Sequence, residues 1–189
     1  MAAPQAIVVG CSAGGLAALE LLFSALLPNL QQAIVVCSHT GSSTVELMCE
    51  LLAQHATLPV VEASERAPLE RGVIHVAPSG YHLLVEANRR FALSVDERVS
   101  YARPSIDVLF DSAAEAYRDA LIGVVLTGAN SDGAEGLARI RRNGGLAIVQ
   151  DPADAEAAAM PTAALDIAGA DYCVPLAAIA PLLNRLCLP

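Results

Sequence analysis

Residues 7–27 read IVVGCSAGGLAALELLFSALL, and this stretch decides the fold. A β-branched run, Ile7-Val8-Val9, stops at Gly10; Leu16, Leu19, Leu22, Leu26 and Leu27 then recur at the spacing of one helix face. A buried strand turning sharply into a helix is the opening unit of a parallel α/β sheet. The turn itself carries Gly10, Ser12 and Gly14 in the pattern G-x-S-x-G. A dinucleotide turn, G-x-G-x-x-G, needs glycine where Ser12 stands, because pyrophosphate must approach the backbone there. It also needs an acid at the end of the second strand, where this chain has Ser38-His39. No G-K-S/T follows, so a P-loop is excluded as well. The spacing suits a nucleophile instead. A serine at a tight strand-to-helix turn projects its hydroxyl outward, small neighbours leave room for substrate, and N–H groups at the helix start face an oxyanion. The plainer role for Ser12 is to cap the helix, which serine does well.

Working outward, strand signals recur at 33–38, 59–62, 73–77, 121–126, 146–150 and 172–174, with helical patterns between most of them. Val45 to Ala53 reads as the second helix. Residues 82–86 and 91–95 flank Asn88-Arg89-Arg90 and predict a hairpin. Pro104 suits the first turn of a helix reaching Tyr117, and another helix spans 133–142 before Gly144-Gly145. Asp151 to Pro161 reads as loop, with a short helix after it and a last helix after the final strand. Strands that are apolar throughout predict a doubly wound, mainly parallel sheet with helices on both faces and a small β-hairpin. With 189 residues and no linker or repeat, residues 1–189 are expected to form a single domain.

The totals narrow the function. Hydrophobic residues make up 54% and aromatics 4%, so the core is aliphatic. A net charge of −9 without a lysine-rich run argues against nucleic acid and anionic membranes as partners. Cys11, Cys37, Cys49, Cys173 and Cys187 are odd in number and scattered, so neither a disulfide framework nor a zinc site is expected. No metal or other cofactor is expected. No signal peptide and no stretch of about 18 uninterrupted apolar residues is read, so membrane insertion is not expected and a cytoplasmic location is.

In open α/β sheets, ligands bind beyond the carboxyl ends of strands, where strand order reverses. Ser12 lies beyond strand one, His39 beyond strand two, and Asp132 in the loop after the 121–126 strand. If that strand flanks strand one opposite strand two, the three converge as a nucleophile–base–carboxylate set, which geometry defines rather than chain order. His39 is favoured over His55, His75 and His82 because it ends a strand beside strand one. Asp132 has a plainer alternative as cap of the 133–142 helix; it can do both, because the helix dipole would keep it ionised.

Three segments now carry a resemblance: IVVGCSAGG at 7–15, RPSIDVLFDSAA at 103–114 and VVLTGANSDGAEGL at 124–137, with weaker echoes in VAPSGYHL at 76–83 and MP at 160–161. In this order, and over nearly the whole chain, the sequence resembles the catalytic domain of the chemotaxis protein-glutamate methylesterase family (CheB-type). The resemblance implies that Ser12 is the nucleophile, His39 the general base and Asp132 the orienting carboxylate. It implies hydrolysis of γ-glutamyl methyl esters on the cytoplasmic domain of methylated chemoreceptors, releasing methanol, and deamidation of receptor glutamines. Backbone N–H groups near Ala13 and Ala129 are the expected oxyanion donors, Arg103 is a candidate substrate contact, and Thr127 is expected to shape the Asp132 loop. The chain departs from the family pattern at Thr40-Gly41-Ser42-Ser43, at Ala13 and at Ala129-Asn130. It begins at strand one, so the family's receiver domain is not expected and a regulator would act in trans. The alternative from another class is a diverged, non-catalytic module that docks receptor or partner on the same scaffold. Labelling of Ser12 by a phosphonate or sulfonyl fluoride separates the two.

Overall fold

The computed structural model describes residues 3–39 and 45–188. The elements run β1 (Ala6–Cys11), α1 (Gly15–Ser24), β2 (Ala33–Ser38), α2 (Val45–His55), β3 (Val60–Glu62), β4 (Ile74–Val76), β5 (His82–Val85), β6 (Phe91–Ser94), α3 (Ile106–Tyr117), β7 (Leu121–Val125), α4 (Ala134–Arg142), β8 (Leu146–Gln150), α5 (Ala159–Ile167), β9 (Tyr172–Val174) and α6 (Leu176–Cys187). Seven strands form one parallel sheet in the order β3-β4-β2-β1-β7-β8-β9. β5 and β6 pair antiparallel as a separate hairpin. β1 is therefore central, with β2 on one side and β7 on the other, in the arrangement that convergence of the three loops requires.

The alternation of strand side chains divides the core in two. Ala6 and Val8 face α3, α4, α5 and the hairpin, whereas Ile7 and Val9 face α1, α2 and α6. Both faces are covered, which is why the strands are apolar throughout. Each fully buried leucine, isoleucine or phenylalanine contributes on the order of 1.5–3 kcal/mol. Gly10 has a packing role here: a Cβ on it would lie 2.4 Å from Ile106 Cγ2. Only glycine lets the start of α3 settle directly on β1.

Most element bounds shift by one or two residues from the sequence expectation, and four of the differences bear on packing and capping. α1 stops at Ser24, so Leu26 packs into the core from the turn beyond it, while Leu27 and Leu16 lie exposed. Leu27 precedes Pro28, whose ring disfavours helical backbone at the residue before it. Pro104 lies outside α3: Ser105 is the N-cap and the helix starts at Ile106. α5 begins at Ala159, so Pro161 sits in its first turn, where backbone N–H groups have no intrahelical partner to lose. α4 begins at Ala134 with Gly133, not Asp132, at its N-cap.

Candidate active site

The loops after β1, β2 and β7 are tied together by main-chain bonds. Ser12 N–H donates to Thr127 O at 2.9 Å, and His39 N–H reaches Cys11 O at 3.4 Å. Ser12 does not cap α1. Gly14 is the N-cap, with a left-handed φ of 76°, and no side chain caps that end. The second glycine of G-x-S-x-G thus supplies a backbone conformation that β-carbon-bearing residues rarely adopt. Ser12 O accepts from Gly15 N–H at 2.8 Å, closing the turn, while the Ser12 hydroxyl has no hydrogen-bond partner among the described residues. Thr127 acts on this turn rather than on the Asp132 loop. Its hydroxyl donates to Ala13 O at 2.9 Å and accepts from Ala157 N–H at 2.8 Å, clamping the segment before α5 over the Ser12 loop. The N–H groups of Ala13 and Ala129 have no partner among the described residues.

His39 and Asp132 are in contact, with His39 Nε2 at 2.7 Å from Asp132 Oδ2. Asp132 is fully buried. Its other donors come from the start of α3: Ser105 Oγ at 2.9 Å, Ile106 N–H at 2.7 Å and Asp107 N–H at 2.9 Å. The carboxylate therefore caps α3, not the helix that follows it in sequence. Burial by itself raises its pKa, but the bonds from His39, Asp107, Ile106 and Ser105 outweigh that and hold it below the ordinary value. Asp107 returns the arrangement, its Oδ1 accepting from Gly133 N–H at 2.9 Å and Gly136 N–H at 2.7 Å at the start of α4. Asp107 is pushed up to about 6, first by burial and also by the neighbouring Asp132 charge, with the Gly136 and Gly133 bonds opposing.

Ser12, His39 and Asn130 line one cleft of about 370 Å³ together with Arg98, Tyr101 and Arg103. Arg103 Nη1 is engaged within the protein, donating to Val95 O at 2.9 Å and Asp96 O at 3.1 Å. Its Nε is buried without a partner among the described residues. The arm that Arg103 holds ends in a tight turn with left-handed φ at Ser100 and Tyr101, and Tyr101 is 96% exposed. A larger groove of about 800 Å³ between the hairpin and α3 is lined by no histidine or cysteine. The other histidines are occupied away from Ser12. His75 is buried in β4, its Nδ1 donating to Ile34 O at 3.3 Å, and His55 ends α2. His82 donates from Nε2 to Glu97 O at 2.8 Å and accepts Ser105 N–H at Nδ1 at 3.2 Å, so it buttresses the Asp132 partner from behind. Burial pushes the Cys11 thiol, next to Ser12, up to about 11 against a weaker opposing bond with Ser38, so it is no rival nucleophile. Among the described residues no cluster of three or more His, Cys, Asp or Glu could hold a metal ion, and no helix is long and apolar enough to cross a membrane.

Sequence reasoning missed Ser105, His82 and Asn130. Ser105 lay within the quoted RPSID segment, but only the fold brings it to Asp132. Asn130 had a local signal: Asn-x-Asp-Gly is a turn in which the amide oxygen accepts from the backbone two residues on. Thr40-Gly41-Ser42-Ser43 lies outside the described residues.

The family described as CheB methylesterase matches residues 7–183. The chain belongs to the CheB methylesterase family. A protein of Leptospira interrogans is 46% identical over 182 residues, covering 96% of this chain and 94% of its own length. A protein-glutamate methylesterase/protein-glutamine glutaminase of Mesorhizobium japonicum is 38% identical over 96% of this chain, which spans 53% of that relative. The crystal structure of the Thermotoga maritima CheB methylesterase catalytic domain superposes with a TM-score of 0.94 at 29% identity, covering 98% of this chain and 100% of that one. CheB methylesterase relatives thus share the doubly wound sheet and not only the motifs.

Proposed function

We propose that this chain is a serine hydrolase that cleaves γ-glutamyl methyl esters on the cytoplasmic domain of methylated chemoreceptors, releasing methanol, and that it deamidates glutamine at the same sites. The relatives' names supply the substrate class, and the location that follows is the cytoplasm. The observation that carries the reading is the 2.7 Å contact of His39 with buried Asp132 in the cleft that Ser12 borders. Ser12 Oγ attacks the ester carbonyl while its proton passes to His39, and the carbonyl π pair moves onto oxygen. Ala13 and Ala129 N–H groups are the donors offered to that oxyanion; losing one such donor typically costs about a hundredfold or more. The imidazolium then protonates the departing methoxide, and water attacks the acyl-enzyme by the same route in reverse. Asp132 stays ionised and stabilises the imidazolium. Arg103 borders the entering substrate, its guanidinium placed by the Val95 and Asp96 carbonyls.

Ser12→Ala tests this. Methanol release from methylated receptor membranes is expected to fall by about three orders of magnitude or more, with thermal stability unchanged. Turnover at the unaltered rate would end the proposal.

A further inference from the structure

Asn130 lines the cleft and touches His39, yet the mechanism above leaves its chemistry unused. It stands where the sequence departs from the family's Met-Gly pair. Its Oδ1 accepts from Asp132 N–H at 3.0 Å, so the oxygen end of the amide is committed to its own turn. The NH2 end is therefore the end presented to His39, with Nδ2 at 3.1 Å from Nδ1. Nδ1 must then be the acceptor, and the ring proton sits on Nε2, where it meets Asp132 Oδ2 at 2.7 Å. The opposite tautomer is excluded twice: it would set two donors against each other at Asn130 and a lone pair against a carboxylate at Asp132.

We propose that Asn130 is a positioning residue for the ester hydrolysis, the second tether that holds the His39 ring with the Nδ1 lone pair turned into the cleft. This rests on the methylesterase reading. One tether at Nε2 leaves the imidazole free to swing about that bond; two tethers on opposite sides of the ring fix its plane. Ser12 reaches Nδ1 by displacing the amide, and Nδ1 takes the hydroxyl proton as the Oγ–carbon bond forms. Masking of the base is not the net effect. The His39 side chain is 13% exposed and the cleft is open, so without Asn130 a water would occupy Nδ1. A bridging water bonds nearly as well as a direct partner, and displacing either comes at similar expense. What the amide adds is the orientation of the ring that substrate meets, set before Ser12 takes the amide's place at Nδ1, and small misplacements of reacting groups are costly in rate.

Asn130→Ser separates this role from a structural one. A serine hydroxyl still accepts from Asp132 N–H in a short turn, but it is too short to reach Nδ1. With histidine-labelled protein, the 15N resonance of His39 Nδ1 is expected to move toward that of a lone pair bonded only to water, while the thermal midpoint holds. Hydrolysis of a synthetic peptide amide carrying one γ-methyl glutamate is expected to lose about tenfold in kcat with KM nearly unchanged. An unmoved Nδ1 resonance, an unchanged or raised kcat, or a loss expressed in KM alone would each overturn the assignment. The resonance is read without substrate. Its failure is thereby distinguished from failure of the methylesterase reading, which would appear as no methanol release by the unaltered chain.

Discussion

Asp132 accepts four hydrogen bonds with two oxygens, and no neutral side chain of its shape can do the same. Asparagine keeps one acceptor oxygen and turns its NH2 either to His39 Nε2–H and Ile106 N–H or to Ser105 Oγ and Asp107 N–H, setting donor against donor in both cases. Asp132→Asn is expected to lower kcat by about 10⁴, as when replacing an orienting carboxylate by an amide forces the wrong tautomer. It should also cost about 1–3 kcal/mol of unfolding free energy, the penalty for buried groups left unpaired, read from the urea midpoint. A fall of less than tenfold in kcat would show that the imidazole is oriented without it. Because the folded-state pKa of Asp132 is lowered, its ionisation stabilises the protein above the ordinary carboxylate range near about 4, and that contribution is lost as pH falls through the lowered value.

At the scale of elements, α3 and α4 are joined end to end by two exchanged caps: Asp132, beside α4 in sequence, caps α3, and Asp107, inside α3, caps α4. The exchange fixes the Asp132 loop against both helices. It also sets a pH response of the opposite sign. Asp107 has its folded pKa raised to about 6, chiefly by burial, so between about 4 and 6 the native state binds more protons than the unfolded chain. Stability falls as pH rises through that window. Asp107→Asn keeps an oxygen for the Gly133 and Gly136 N–H groups and removes the titration. The unfolding free energy of the unaltered protein minus that of the variant is expected to decline from pH 4 to 6 and level off above it; a flat or rising difference would reject the assignment. These caps mark where reading the sequence stopped. The strands, the Ser12 turn and the extents of most helices follow from local periodicity and turn residues. A cap taken from an element some 25 residues away leaves no local trace, so Asp132 read as the cap of its neighbour. The role of Ser105 and the contact of Asn130 with His39 went unread for the same reason: those partners are set by packing.

At the scale of the molecule, Ser12 and His39 border one cleft and His39 touches Asp132 because β1 lies between β2 and β7, an order that connectivity permits and strand-end residues made worth testing. The same sheet holds an electrostatic contradiction. The chain carries 20 acidic and 11 basic residues, yet among the described residues the cleft lining holds Arg98 and Arg103 and no acid. Which field an approaching acidic polypeptide feels depends on screening. At about 10 mM salt the Debye length of about 30 Å lets it sense the whole negative chain; at about 150 mM, with about 8 Å, groups at the cleft dominate, and there Arg98 and Arg103 line the wall while the Glu156 carboxylate beside Gly14 and buried Asp132 oppose them. Two peptides carrying one γ-methyl glutamate, one with acidic and one with neutral flanks, isolate the effect. The ratio of their kcat/KM values, acidic over neutral, is expected to rise about severalfold as salt is raised over that range, because screening removes long-range repulsion before it removes short-range attraction. A ratio that falls with salt would mean the arginines already dominate at long range and that the net charge of −9 has no part in substrate approach.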